Sequence, residues 1–115
     1  DTDIMGGNRA GMPTLLVFTG AHGKRDLLEA GPGDRPTFIG ADLRALLEPG
    51  RVATGEGDVR SCGAATVRLH DGSVVVEGPL DTEAAQLDAL WALATLVWHT
   101  GADATGALAL LDRLR

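Results

Sequence analysis

Residues 1–20 read DTDIMGGNRAGMPTLLVFTG, and the apolar run Leu15 to Phe18 inside this stretch decides the fold. No position of the run is polar, and a strand of this kind is normally buried on both faces, as in parallel α/β sheets. Asp3 can cap a short helix over residues 4–10, because its carboxylate can accept the free N–H groups of the first turn. Gly11 fits the left-handed position that follows such a helix. The stretch therefore predicts a short helix followed by a buried strand.

Three further elements are expected in the first half of the chain. A Gly-Pro-rich loop at residues 31–36 leads into a second short apolar strand at residues 37–40. Helices are expected before and after them, at residues 24–30 and 42–47. Strands that alternate with helices predict an α/β fold with a parallel sheet.

The second half begins with a change of composition. Residues 51–63 are polar and Gly-rich, and we interpret them as a linker. Residues 65–78 predict a β-hairpin, because Asp71-Gly72 is a favoured type I′ pair. The two-residue turn fixes the register and pairs apolar side chains on one face, Leu69 with Val74 and Val67 with Val76.

Two helices are expected to cover the apolar face of this hairpin. The first, residues 82–100, starts at a capping Asp81 or Thr82 and is apolar on two faces, which is typical of a helix packed on both sides. The second spans residues 104–114. Residues 64–115 therefore predict a small α+β module, and the two-faced helix favours a homodimer.

Composition and charge exclude several classes of function. The 115 residues carry a formal net charge of −6, whereas a nucleic-acid-binding surface would be basic. Cys62 is the only cysteine, so no internal disulfide bond can form. The most apolar stretch, Leu90 to Trp98, is far shorter than the roughly 20 residues that span a bilayer. We therefore expect a cytoplasmic protein without a membrane or nucleic-acid partner, and the non-Met first residue indicates a longer gene product.

Two strings resemble one protein family. The string Thr-Asp-Ile-x-Gly-Gly-x-x-Ala-Gly-Met-x-Thr-Leu-Leu-Val-x-Thr-Gly, at residues 2–20, resembles the fourth motif of haloacid dehalogenase (HAD) superfamily phosphatases of the NagD-like class IIA branch. Arg35-Pro36-Thr37-Phe38 and the later Asp42-Leu43 pair resemble the segment that follows this motif. The resemblance implies that residues 1–50 are the C-terminal piece of a HAD-type Rossmannoid parallel sheet.

The resemblance also implies a chemistry. These phosphatases use Mg²⁺ and an aspartyl-phosphate intermediate, and they act on small phosphorylated metabolites such as glycerol phosphate or phosphoglycolate. The main metal ligand and the nucleophile would lie upstream of this chain, which leaves no catalytic residue within it. The position of Asp3 supports the metal site in the family, and Asp1 matches a variable, often acidic position. Without the resemblance, Asp3 is a helix cap.

Other candidate residues give weaker signals. His22, His70 and His99 share no metal-ligand spacing. Cys62 has no paired His or basic neighbour that would indicate a nucleophile, and we interpret it as an ordinary thiol.

The sequence leaves more than one possible role for residues 64–115. Their hairpin and Trp-rich helix resemble an acetyltransferase-like (GNAT-like) module, but the sequence has no glycine-rich pyrophosphate loop, so we favour a structural or oligomerisation role. The alternative for the whole chain is a non-catalytic fragment or interaction module.

Overall fold

The computed structural model describes residues 10–17, 24–40 and 51–113. The chain is an α/β protein that divides into two compact units, residues 1–50 and 51–115. The expected helices at residues 4–10 and 42–47 fall almost wholly or wholly outside the described residues.

The first unit contains a parallel pair of strands, as the sequence predicts. Strand β1 (Leu15–Val17) pairs with β2 (Phe38–Gly40), with Leu15 opposite Phe38 and Leu16 opposite Ile39. Helix α1 (Lys24–Glu29) lies between them in the chain, as a parallel connection requires. A short 3₁₀ turn (Pro32–Asp34) follows α1. The core of this unit includes the side chains of Leu16, Leu27, Leu28 and Ile39.

The second unit contains a three-stranded antiparallel sheet in the order β3-β4-β5. Its strands are β3 (Val59–Cys62), β4 (Ala65–His70) and β5 (Ser73–Glu77). The register confirms the predicted hairpin pairs, with Leu69 opposite Val74 and Val67 opposite Val76, and it places Thr66 opposite Glu77. Asp71 (φ 50°) and Gly72 (φ 79°) both lie in the left-handed region, as a type I′ turn requires.

Strand β3 corrects the prediction of a linker at residues 51–63. Val59 to Cys62 form a strand on the outer side of β4, and Thr54 forms a further antiparallel bridge to Ser61. Two of the four side chains of β3, Arg60 and Ser61, are polar, and only Cys62 is buried. The place of β3 in the sheet therefore depends on backbone hydrogen bonds to β4 rather than on an apolar pattern.

Two helices complete the second unit. Helix α2 (Glu83–Thr100) begins at Thr82, whose Oγ1 accepts the N–H of Ala85 at 3.0 Å. It ends at Gly101 (φ 71°), whose N–H donates to the Val97 carbonyl oxygen at 2.8 Å. Helix α3 (Thr105–Arg113) contacts β5, and α2 contacts β3 and β4.

The core of the second unit lies between the sheet and these helices. The buried side chains of α2 surround the whole helix, as expected for a helix packed on more than one side: Ala89, Leu90, Trp91, Ala92, Leu93, Ala94 and Leu96. Trp91 and Trp98 meet edge to face with ring centroids 5.7 Å apart. None of the described helices is both long enough and apolar enough to cross a membrane.

Candidate functional site

The first candidate region is the carboxyl edge of the β1–β2 pair. Both strands run in the same direction, so the chain leaves them at this edge after Val17 and after Gly40. Open parallel α/β sheets bind their ligands outside the carboxyl ends of their strands. The segments that follow the two strands, residues 18–23 and 41–50, lie outside the described residues. The described residues therefore define the two strands that border this region but not the side chains of the segments that follow them.

A reciprocal pair of threonines fixes the opposite end of these two strands. The N–H of Thr14 donates to Oγ1 of Thr37 at 2.9 Å, and the N–H of Thr37 donates to Oγ1 of Thr14 at 3.0 Å. The N–H of Phe38 adds a bond to the Thr14 carbonyl oxygen at 2.8 Å. Since Thr14 is buried, these bonds replace water at the start of both strands. We call these two residues the threonine clasp.

The metal-site candidates Asp1 and Asp3 lie outside the described residues, as does His22. Within residues 10–17, 24–40 and 51–113, no three His, Cys, Asp or Glu side chains come together as a metal site. His70 is exposed, and its Nε2 lies 3.3 Å from Oδ2 of Asp71. His99 is exposed in the last turn of α2. The structure thus brings none of the described histidines together.

The second candidate region is a polar cluster under the β3–β4 turn, which the sequence reasoning missed. Nε of Arg51 donates to Oδ1 of Asp88 at 2.9 Å, and Sγ of Cys62 lies 3.7 Å from the same oxygen. The side chains of Arg51 and Asp88 are only 20% and 26% exposed, so solvent screens this pair less than an exposed one. The three residues are far apart in sequence, and no local pattern signals the cluster.

The surroundings of Cys62 make its thiol unreactive rather than nucleophilic. Burial, the negative charge of Asp88 and the hydrogen bond to Asp88 raise the pKa of Cys62 to about 11, and the nearby Arg51 opposes them only in part. A thiol with this pKa is protonated at neutral pH, whereas a nucleophilic cysteine needs its thiolate form. The interpretation of Cys62 as an ordinary thiol agrees with this environment. The polar cluster therefore holds structure together and offers no nucleophile.

Comparison with known proteins gives one family match and one curated relative. Residues 1–46 match the family model described as HAD-hydrolase-like. A curated D-glycerol 3-phosphate phosphatase from Mycobacterium tuberculosis is 54% identical over 46 residues, which cover 40% of this chain and 13% of that protein.

Solved structures extend the similarity to nearly the whole chain. The crystal structure of a glycerol phosphate phosphatase from Mycobacterium tuberculosis in complex with magnesium matches 97% of this chain with a TM-score of 0.68 and 32% identity. The structure of the phosphatase in complex with calcium matches the same share with a TM-score of 0.62 and 27% identity. The chain spans 34% and 35% of those two chains, so it corresponds to a fragment of them. A match over 97% includes the second unit, which the family model does not reach.

Proposed function

We propose that this chain, which over residues 1–46 is a segment of a HAD-like hydrolase, forms the C-terminal part of a Mg²⁺-dependent phosphomonoesterase. The enzyme would act on a small phosphorylated metabolite, with glycerol phosphate as the first candidate. The remaining parts of the active site would come from the upstream part of the same protein. The substrate and the upstream nucleophile belong to this proposal, because the chain spans only about a third of the solved phosphatases.

The observation that carries the proposal is the 54% identity to a D-glycerol 3-phosphate phosphatase over 46 residues. Such identity exceeds what a shared fold requires, and in the resembling family the Asp of the Thr-Asp-Ile string, here residues 2–4, supports the metal site. The parallel pair of strands supports the same proposal. It is the local architecture in which α/β enzymes build sites at the carboxyl edge.

Magnesium is the cofactor that fits this proposal. We propose that Asp3 supports the metal site from its second coordination shell and that Asp1 contributes its charge nearby. Hard Mg²⁺ prefers carboxylate oxygens and waters, and the bound ion offsets the charge of a phosphoryl group. Because the described residues contain no metal-binding cluster, the other carboxylates would come from elsewhere in the protein.

The second unit has a structural or oligomerisation role in this proposal. The middle of its helix α2, residues 89–94, is buried on all sides, and its cysteine is protonated at neutral pH. The described residues of the second unit therefore offer packing surfaces rather than reactive groups. We propose the same arrangement of domains as the sequence indicates, with a hydrolase core up to residue 50 and a GNAT-like module that carries no acetyltransferase activity. We also propose that the protein belongs to the NagD-like branch, that it is cytoplasmic and that it forms a homodimer.

The substitution Asp3→Asn in the full-length protein tests the role of this carboxylate. Removing a charge that supports a bound metal typically lowers metal affinity or activity by about 10–100-fold. If Asp3 is only a helix cap, the amide should replace it with little loss, because Asn caps about as well as Asp. We expect slower hydrolysis of glycerol phosphate and a higher Mg²⁺ requirement, at an unchanged melting temperature. Wild-type kinetics and wild-type Mg²⁺ dependence in this variant would contradict the metal-site role.

A further test distinguishes an enzyme from a non-catalytic module. The full-length protein is incubated with glycerol phosphate and with or without Mg²⁺, and phosphate release is measured. We expect release that requires Mg²⁺. A folded full-length protein that hydrolyses neither glycerol phosphate nor p-nitrophenyl phosphate would favour the alternative of a non-catalytic interaction module.

A further inference from the structure

The two edge strands of the sheet in the second unit, β3 and β5, differ in their hydrogen bonding to other parts of the described chain. At the β3 edge, Thr54 bridges to Ser61 through two backbone hydrogen bonds, from the Thr54 N–H at 2.8 Å and from the Ser61 N–H at 2.7 Å. Strand β5 pairs with β4, and among the described residues it pairs with no other strand. Within the described part of the chain, Thr54 therefore covers part of the β3 edge, and no strand covers the β5 edge.

The peptide groups that face the β5 edge follow from the register. The N–H of Leu69 donates across to Asp58, so the odd-numbered residues of β4 point their peptide groups towards β3. The even-numbered residues of β4 then bond to β5, starting at the closing pair of His70 and Ser73. Ser73, Val75 and Glu77 use their peptide groups in these bonds. The peptide groups of Val74 and Val76 consequently point outward from the sheet.

The sequence of β5 carries few of the usual protections of an edge strand, with one charged residue, Glu77, at its end. Natural edge strands commonly use Lys, Pro, a bulge or an inward charge to prevent pairing with other chains. The strand reads Ser-Val-Val-Val-Glu, and its register with β4 has no bulge. Three consecutive β-branched residues instead favour an extended, pairing-competent strand.

We propose that β5 pairs in antiparallel fashion with β5 of a second copy of this chain, about a two-fold axis at Val75. In this register Val74 of each copy lies opposite Val76 of the other, so the outward peptide groups bond to each other. Val75 meets its own copy in a non-hydrogen-bonded pair, in which side chains approach closely. The pairing joins the two three-stranded sheets into one continuous sheet. It involves only the second unit and is independent of the proposed phosphatase activity.

Charge and exposure support a second copy as the partner. The register places each Glu77 opposite Ser73 of the other copy, so the two carboxylates do not face each other. Each Glu77 is also paired with Arg68 on the neighbouring strand of its own sheet. Val75 is 38% exposed, although it is a large apolar residue, and the Val75 of the second copy would cover it. The strand can thus form hydrogen bonds with a second copy of itself without placing like charges opposite each other.

The substitution Val75→Lys tests this interface, with Val59→Lys as the matched control. Val59 is 40% exposed on the same face of the sheet, but it lies on β3, away from the proposed axis. Two lysines at the axis would face each other and repel, and the valine contact would be lost. By sedimentation velocity of the full chain, we expect a dimer for the unaltered chain, a dissociation constant raised by at least about tenfold for Val75→Lys, and no change for Val59→Lys.

Cysteine cross-linking provides a second measurement that does not depend on the strength of association. At a non-hydrogen-bonded antiparallel pair the Cα atoms are about 4.5 Å apart, within the range that a disulfide bridges. Under a mild copper–phenanthroline oxidant, Val75→Cys should form a covalent dimer, while Val59→Cys should not. A monomeric unaltered chain at all accessible concentrations, equal effects of the two lysine variants, or equal cross-linking of the two cysteine variants would overturn the proposal.

Discussion

At the scale of single residues, Gly63 is a position where a side chain would be poorly tolerated. Its φ of 57° is in the left-handed region, and a Cβ there would overlap the carboxylate of Asp88. Gly101 has a similar φ of 71°, but nothing lies within 4 Å of where its Cβ would be. The two glycines therefore share the same backbone strain and differ in the space around them.

We expect Gly63→Ala to destabilise the second unit more than Gly101→Ala. The left-handed backbone costs about 1 kcal/mol in both variants, and the overlap with Asp88 adds a similar or larger amount at Gly63, for a total of about 2–3 kcal/mol. Thermal or urea denaturation of the two variants measures the difference. Equal losses would show that Asp88 moves aside without cost.

Cys62 gives the residue-scale prediction for pH. Because the pKa of Cys62 is raised to about 11, the ultraviolet absorbance of its thiolate should appear only well above pH 9 in the folded chain. Burial is the main cause of the raised pKa, and the negative charge of Asp88 adds to it. Asp88→Asn removes this charge, so the titration of Cys62 should move to lower pH. A thiolate that appears near pH 9 in the unaltered chain would contradict the burial and the Asp88 contact.

The raised pKa of Cys62 also links folding to pH. An unfolded chain releases this proton near the ordinary value of 9.0, whereas the folded chain holds it up to about 11. The folded state therefore binds more protons between these values, and this contribution to stability is present below pH 9 and declines as pH rises through 11. A Cys62→Ala variant should lack this part of the alkaline loss.

At the scale of elements, the threonine clasp sets how firmly β1 and β2 are joined at their start. Thr14→Val keeps the shape of the side chain but removes the Oγ1 that accepts the Thr37 N–H at 3.0 Å. A lost hydrogen bond of this kind costs about 1 kcal/mol, so amide exchange at residues 38–40 should be about fivefold faster. Thr14→Ser keeps the hydroxyl and should preserve protection. Unchanged exchange in Thr14→Val would show that water replaces the clasp.

The elements also show what the sequence can and cannot predict. The β1–β2 pair, the hairpin register and the Thr82 cap followed local rules, namely an apolar run, an Asp-Gly turn and a capping hydroxyl. Strand β3 was missed because it is short and follows a polar, Gly-rich segment, and because backbone hydrogen bonds leave no local pattern in the sequence. The Arg51–Asp88 pair was missed for a related reason, since it joins residues 37 positions apart.

At the scale of the whole molecule, the comparisons confirm the resemblance to a family, whereas the predicted site residues stay untested. The match over residues 1–46 confirms the resemblance to HAD phosphatases that rests on the Thr-Asp-Ile string. The roles of Asp1 and Asp3 stay predictions, because both residues lie outside the described part of the chain. Substrate choice also stays a proposal, since the chain spans 34% of the solved phosphatase in complex with magnesium.

We expect the 115-residue chain alone to be inactive towards p-nitrophenyl phosphate with Mg²⁺. The nucleophile and the principal metal ligand would lie upstream, and removing a catalytic nucleophile leaves little turnover. Phosphate release by the purified chain is compared with that of the full-length protein at equal molar concentration. Turnover that persists through repurification and disappears in Asp3→Ala would show that the chain carries its own active site.

The Asp71-Gly72 turn has a further consequence, which concerns the order of events during folding. It closes a hairpin between adjacent segments, and such hairpins form in about 1–10 μs. The Arg51–Asp88 ion pair closes a much longer loop, and closing a longer loop costs more chain entropy. This ion pair would therefore form after the hairpin. During folding, the apolar face of β4 and β5 would thus be the first part of the core of the second unit to form. Helix α2 would then dock against a surface that already exists.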